Sequence, residues 1–317
     1  MLTMKEGNMR SIEILSTGSY LPSQKIENKE LEEKWNLEKG YIQKRSGIQS
    51  RYYCANETLE EMAYQACLNC MERMPIPKEK IGGVIVASTT NQKSMPGLAF
   101  LLQKRLEIPN GFCLDVSAGC NGFINALDLA RSYITLERAE YFLVVGVDLL
   151  SKIVEESDYA LKMLLADGAG AVLVGKSETE KKYQVQIESR VEGAESLCYS
   201  FGDFLKMDGI AIYKYAVAEG SRFLKEILEK EEMDLDEIRW VIPHQSNQKI
   251  MEAIASRVHL PKEKIYTNIQ NVGNTFCASI PIALDEIEKK KMWNKGDKII
   301  LLGYGGGLNT GCILMER

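Results

Sequence analysis

An internal duplication constrains this chain more than any other feature of it. KEKIGGVIVAST in the first half and LDEIRWVIPHQSN in the second are each an apolar, β-branched run after a helical pattern, and they set Ile81 and Ile238 157 positions apart. The same separation brings Gly146 of YFLVVGVD onto Gly303 of IILLGYGGG. Between them, CLDVSAGCNGFINALDLA matches YTNIQNVGNTFCASIPIAL at a separation near 156, pairing Asp115 with Asn271, and both read as strand, sharp turn, helix. Self-similarity at a fixed spacing means one structural unit built twice. The runs VIVAS, LVVGV, AVLVG and IILLG suit strands buried on both faces, with the helical patterns between them as crossovers. The expected fold class is α/β, in two similar halves, 1–176 and 184–317, packed about a pseudo-twofold axis and joined through the polar stretch KSETEKKY.

At 317 residues, 45% apolar and 26% charged, the chain can bury a large core and falls outside the disordered, collagenous and low-complexity classes. Its net charge of −5, without a Lys/Arg block, argues against a nucleic-acid backbone as partner. The strongly apolar stretches, such as 141–147, are far shorter than the roughly 20 residues of a spanning helix, so no membrane partner is expected. MLTMKEGNMRSIEIL has no apolar h-region, and the expected location is cytoplasmic.

Eight cysteines without secretory context read as free thiols rather than a disulfide framework. The C-x-x-C of Cys67 and Cys70 lies inside the helical pattern TLEEMAYQACLNCMERM and reads as packing. Only His244 and His259 could supply an imidazole, and His-rich metal sets cannot be built from two. His259 closes the helical run KIMEAIASRV, a position where a cation suits the helix dipole, and reads as structural.

Reactive residues stand where strands give way to helices, the places at which α/β folds mount chemistry. Cys120 ends LDVSAGC and opens NGFINALDLARSYI, where unpaired helix N–H groups and the positive dipole end favour a nucleophilic thiolate. A buried cysteine at a strand–helix corner is the competing reading. His244 follows the strand WVIP and begins HQSNQKIMEAIASRV. Asn274 in NVGNTFCASIPIALDEI occupies the next such turn, where its amide could cap a helix or reach into a site. GYGGGLNTG follows IILL, and Gly305, Gly306 and Gly307 allow close approach of bare backbone N–H groups to a ligand.

Taken together, Cys120 in DVSAGCNGF, His244 in PHQSN, Asn274 in GNT followed by Ser279, and the GGG turn resemble the β-ketoacyl-[acyl-carrier-protein] synthase III family of thiolase-like condensing enzymes. The resemblance runs nearly end to end and includes KRSGIQSR, ADGAGAVLV and FLKMDGIAIYKYAV in family order. It implies a duplicated five-layered αβαβα fold, a homodimer, and a Cys-His-Asn triad that condenses an acyl primer with malonyl acyl carrier protein. In that scheme Cys120 takes the acyl group, the backbone N–H groups of Cys120 and Gly306 form the oxyanion hole, and His244 and Asn274 stabilise the enolate left by decarboxylation. No metal or redox cofactor is required.

Cys, His, Asn is also the chain order of papain-like proteases, but the local context of Cys120 lacks their C-G-[SA]-C-[WY] signature. An acyltransferase of the same fold, passing the acyl group from Cys120 to a non-malonyl acceptor, is compatible with the triad. An intact Cys120, His244 and Asn274 set argues against a catalytically silent scaffold.

Departures from the family pattern bear on substrate. Where relatives commonly sandwich the adenine of coenzyme A between tryptophan and arginine, this chain has Tyr41 and Tyr159, trading a guanidinium for a phenol. Arg45 stands where the nucleotide phosphates are met, and Gly209 and Asn247 match positions along the pantetheine tunnel. The implied substrates are phosphopantetheine thioesters, with the primer on coenzyme A or on a carrier protein. An acidic carrier would dock on a local basic patch, for which Lys214 and Lys249 are the candidates. The acyl pocket would be bounded by the partner's copy of Met95 and lined by Leu165, Leu205 and Met207. Cys277 is assigned no role. Initiation of fatty-acid synthesis and primer handling in a specialised pathway both fit.

Overall fold

The computed structural model describes residues 12–179 and 181–317. Its strands, in chain order, are β1 (Ile12–Tyr20), β2 (Gln24–Glu27), β3 (Ser50–Tyr53), β4 (Ile81–Ala87), β5 (Phe112–Val116), β6 (Tyr141–Asp148), β7 (Gly168–Lys176), β8 (Tyr183–Ser189), β9 (Leu197–Cys198), β10 (Lys206–Met207), β11 (Ile238–Pro243), β12 (Lys298–Gly305) and β13 (Asn309–Glu316). The helices are α1 (Asn28–Lys34), α2 (Tyr41–Ser46), α3 (Leu59–Arg73), α4 (Leu98–Arg105), α5 (Gly122–Thr135), α6 (Tyr159–Lys162), α7 (Gly209–Lys230), α8 (Gln248–Arg257), α9 (Ile269–Val272) and α10 (Ser279–Lys289).

Two sheets carry the architecture. The first runs β1-β7-β6-β4-β5, with β5, β4 and β6 parallel and β7 antiparallel to both of its neighbours. The second runs β11-β12-β13-β8 with the same alternation: β11 parallel to β12, and β13 antiparallel to β12 and β8. Helices α3 and α4 cover the outer face of the first sheet, α7 and α8 that of the second, and α5 and α10 lie between them. These are the five layers αβαβα. A helix in the middle layer must be apolar on two sides, and α5 accordingly buries Phe123, Ile124, Ala126, Leu127, Ala130 and Ile134.

Local chemistry starts the outer helices where the hydrophobic pattern needs them. The Thr58 side chain accepts from the N–H of Glu61 to cap α3, and Asp208 accepts from the N–H groups of Ile210 and Ala211 to cap α7. Cys67 and Cys70 are fully buried in α3, and burial pushes the Cys70 thiol up to about 12, in keeping with packing residues. His259 follows α8 with φ of +56°, its N–H donating to the Ser256 carbonyl, a helix end as expected. No helix among the described residues is long and apolar enough to cross a membrane.

One element departs from the sequence expectation. The segment paired with β5, around YTNIQN, was read as a strand, but it is reduced to a single parallel bridge between Val241 and Ile265, and Ile269–Val272 turns as helix. Its main chain is spent elsewhere: the Gln270 carbonyl accepts from Gln49 N–H, and Asn268 N–H donates to the buried Gln245 amide. Backbone groups already satisfied laterally cannot also serve a ladder.

Candidate active site

The turn before α5 places Cys120 at the seam between the sheets. Gly119 has φ of +56°, and a Cβ there would lie 2.6 Å from the Gly306 carbonyl oxygen, so the turn needs glycine for conformation and for space. Cys120 is buried, and Gly305 at the end of β12 is pressed against it: a Cβ on Gly305 would sit 2.7 Å from Cys120 Cβ and 2.9 Å from Sγ. The glycine turn of the second half is therefore the back wall of the Cys120 thiol of the first.

Burial raises the Cys120 pKa, the Asp148 carboxylate raises it further, and hydrogen bonding from the Gly306 and Cys120 backbone N–H groups pulls it down. Burial wins, so the resting thiol is protonated. The backbone N–H groups favour the thiolate, but burial outweighs them, so the thiol needs a base or a bound substrate to ionise.

His244 follows β11. Its N–H donates to the Leu302 carbonyl at 2.7 Å and its own carbonyl accepts from the Tyr304 hydroxyl at 3.1 Å, which fixes the main chain at the turn. Nδ1 lies 2.7 Å from Ser279 Oγ, which also accepts from Gln245 N–H at 3.4 Å. Where the Ser279 hydroxyl donates to Nδ1, the proton of the neutral imidazole sits on Nε2. Burial lowers the His244 pKa to about 3, so the ring is neutral across the physiological range.

Asn274 is anchored by its main chain, N–H to the Leu164 carbonyl at 3.0 Å and carbonyl to Ala166 N–H at 2.8 Å, which ties the second half to the segment bearing Leu165. It does not cap α10. Its Oδ1 accepts from Phe276 N–H at 3.1 Å, and this orients the amide so that Nδ2 is the free donor, with only a long 3.4 Å contact to the Ser246 carbonyl.

Cys120 belongs to one apolar cluster with Leu150, Ile153, Val154, Leu161, Leu165, Leu197, Leu205, Ile212, Phe276 and Leu308, and Met207 packs on the same cluster. Met207 also lines an open cavity of about 770 Å³ together with Tyr41, Lys44, Arg45, Gly209, Asn247 and Lys249. Residues far apart in sequence thus meet in one opening, and Met207 is common to it and to the cluster that holds Cys120. Asn247 doubles as the α8 cap, its side chain accepting from Lys249 N–H at 2.9 Å. Tyr41 lies under the Arg45 guanidinium at 4.6 Å, whereas Tyr159 lies outside the lining and stacks on Trp35, ring centroids 4.9 Å apart. Lys214 is exposed on α7, and Met95 is 90% exposed. Among the described residues no group of three or more His, Cys, Asp or Glu side chains is placed to hold a metal ion.

Sequence reasoning missed three residues here. Asp148, fully buried at the end of β6, accepts from Thr89 N–H, Thr90 N–H and Cys277 N–H at 2.7–3.0 Å. Its pKa is raised by burial to about 6. Asn121 donates to Asn309 at 2.8 Å and fills the space left by Gly303 and Gly311. Phe276 enters the Cys120 cluster. The 157-residue offset was the available signal: it superposes Asp148 on Gly305 and Phe276 on Gly119.

Comparison with known proteins places the chain in a family. Residues 114–193 match the family 3-oxoacyl-[acyl-carrier-protein (ACP)] synthase III, and residues 228–317 match its C-terminal part. The beta-ketoacyl-[acyl-carrier-protein] synthase III of Aquifex aeolicus is 37% identical over 96% of this chain and 98% of its own length. The crystal structure of that organism's 3-oxoacyl-[acyl-carrier-protein] synthase III superposes with a TM-score of 0.93, at 36% identity, over 97% of this chain and all of the other. A priming β-ketosynthase from the R1128 polyketide biosynthetic pathway superposes at 0.92 with 27% identity, covering 99% of this chain and 98% of the other. With this likeness over nearly its whole length, the chain belongs to the β-ketoacyl-[acyl-carrier-protein] synthase III family of thiolase-like condensing enzymes.

Proposed function

We propose that the protein joins an acyl primer to malonyl acyl carrier protein by decarboxylative Claisen condensation, with Cys120 as nucleophile. The observation that carries this reading is the junction of the halves: Gly305 against the Cys120 sulfur, N–H groups of Cys120 and Gly306 directed to it, and a neutral His244 and an oriented Asn274 amide on the neighbouring turns.

In the first stage the Cys120 sulfur attacks the carbonyl carbon of an acyl thioester. The tetrahedral oxyanion forms beside the Cys120 and Gly306 N–H groups, each such donor lowering a barrier by about 3 kcal/mol. The carrier thiol leaves with a proton, and the acyl group stays on sulfur. In the second stage the malonyl thioester loses carbon dioxide, and the electrons of the broken C–C bond delocalise onto its thioester oxygen. His244 Nε2–H and Asn274 Nδ2–H are neutral donors suited to that oxygen. The α-carbon then attacks the acyl-Cys120 carbonyl, the C–S bond breaks, and the β-ketoacyl thioester departs. No step calls on a metal or redox group.

The cavity lined by Arg45, Lys44 and Lys249 supports phosphopantetheine thioesters as substrates, with cations at the mouth for the phosphate. Exposed Lys214 and Lys249 are the proposed docking residues for an acidic carrier. The half-buried edge strand β5 and the exposed Met95 support a homodimer in which the partner's copy of Met95 reaches the acyl pocket. We place the repeat boundary at 1–176 and 184–317, and the protein in the cytoplasm.

Intact-protein mass spectrometry after incubation with acyl-coenzyme A and acyl-carrier donors tests the reading. The expected result is an acyl adduct that requires Cys120 and is discharged by malonyl-carrier to a β-keto product. An adduct that malonyl-carrier leaves in place would instead make the protein an acyltransferase with another acceptor.

A further inference from the structure

Phe276 has an aromatic side chain in a backbone conformation that suits glycine. Its φ is +45°, and its counterpart in the first half, Gly119, has φ of +56°. Bulky residues rarely adopt this region, and such outliers persist where the surroundings over-determine them, most often at functional sites. The surroundings here are the nucleophile's. The ring is 4% exposed, packs in the apolar cluster that holds Cys120, Leu150, Leu165 and Leu205, and meets His244 edge-on with centroids 6.4 Å apart. Its main-chain N–H is the group that holds Asn274 Oδ1. The turn that orients Asn274 therefore fixes the point from which the ring projects, and burial among packed side chains leaves the flat ring less adaptable than Met207 on the same cluster.

We propose that Phe276 is a specificity-determining residue whose ring forms the floor of the acyl compartment and limits the primer on Cys120 to short acyl chains. This rests on the condensing reading above. A rigid ring anchored by its own backbone gives a sharp limit on length, because an extra methylene must displace either the ring or the Asn274 turn. Size discrimination in a hydrophobic pocket runs at about 10-fold or more per methylene.

Phe276→Gly and Phe276→Leu test this. Glycine accepts the positive φ without strain, and leucine keeps the apolar burial while removing the flat ring; a cooperative thermal melt confirms that each is folded. Acylation rates of Cys120 are read by intact-protein mass spectrometry with acetyl, butyryl and octanoyl thioesters. Wild type is expected to load acetyl and butyryl groups and to discriminate against octanoyl. In Phe276→Gly the octanoyl-to-acetyl ratio should rise about 100-fold, with Phe276→Leu between the two. An unchanged ratio in either folded variant, or a wild type that loads octanoyl as fast as acetyl, overturns the proposal and leaves the condensing reading intact. A wild type that takes no acyl group from any donor overturns the condensing reading itself, and the proposal with it.

Discussion

Replacing Gly305 by alanine should disable the nucleophile without touching it. The new methyl would lie 2.7 Å from Cys120 Cβ, 2.9 Å from Sγ and 3.4 Å from the Cys120 nitrogen. Non-bonded carbon contacts are comfortable at about 3.5–4.0 Å, so the Cys120 turn or β12 must retreat by about 1 Å. The φ of Gly305 is 165°, extended backbone that alanine adopts freely, so the effect is steric rather than conformational. Neither side has slack: Gly119 already touches the Gly306 carbonyl, and β12 is paired on both edges. Overpacking of this kind costs about 1–3 kcal/mol in stability. A displacement near 1 Å at a reacting atom costs about 100-fold in rate. The assay is the rate of Cys120 acylation by acetyl thioester, with a urea melt on the same sample. Wild-type acylation and an unshifted melt in Gly305→Ala would refute the close approach on which the site geometry rests.

Further outcomes follow from other groups. Asn274→Ala should still acquire an acyl group on Cys120 but lose about 10²–10³-fold in its discharge by malonyl-carrier, since one enolate donor is gone; single-turnover kinetics separates the two stages. Because burial holds the His244 pKa near 3, no loss of condensation assignable to imidazolium should appear between pH 7.5 and 5.5, and a rate profile with a limb near the ordinary histidine value of about 6.5 would contradict this. The Asp148 carboxyl is raised from 3.8 to about 6, so its contribution to stability is complete below about 4 and is lost as pH rises through 6; Asp148→Asn should remove a dependence on the order of 3 kcal/mol from the pH–stability curve, read by urea melts. Asp285, buried in α10, is ion-paired to Arg73 and Lys289 and bonded by Thr17 and Ser19, which hold its pKa below the usual value against the opposing effect of burial; its contribution is present above about 4 and lost on acidification. Asp285→Ala strands the buried side of that network and should cost about 3–5 kcal/mol.

The layered α/β fold was legible because buried parallel strands and crossover helices write continuous apolar runs, and the repeat showed that they come twice. Cys120, His244 and Asn274 stand out in the sequence because each comes after a run that reads as a strand. What stayed hidden is lateral. Nothing in YTNIQN announces that its carbonyls and N–H groups serve Gln49 and Gln245 rather than a fifth strand. Nor does the sequence around Tyr159 announce that its ring stacks on Trp35, a partner more than a hundred residues away. The protonated resting state of Cys120 could not be read either. Helix-end position is written in sequence; the depth of burial that opposes it is a property of the closed seam.

The duplication also bears on why Cys120, and not its counterpart Cys277, is the proposed nucleophile. At the common offset, β6 coincides with β12, the turn at Cys120 with the turn at Cys277, and α5 with α10. In each case the end of the strand in one half meets the turn of the other. Where β12 ends in Gly305, no side chain stands between the strand end and the turn it meets, and the N–H groups of Cys120 and Gly306 are directed to the Cys120 sulfur. Where β6 ends in Asp148, the carboxylate takes the Cys277 N–H at 3.0 Å, the counterpart of the proposed oxyanion donor at Cys120, while the Cys277 sulfur donates to the Gly119 carbonyl at 3.1 Å. An oxyanion cannot form at a donor already bound to a carboxylate, and the Asp148 charge pushes the Cys277 thiol further from ionisation. The second thiol is thereby converted from a reactive group into a hydrogen-bonded joint that carries the first. Cys120 depends on that joint, because its preceding residue, Gly119, is the one that Cys277 holds.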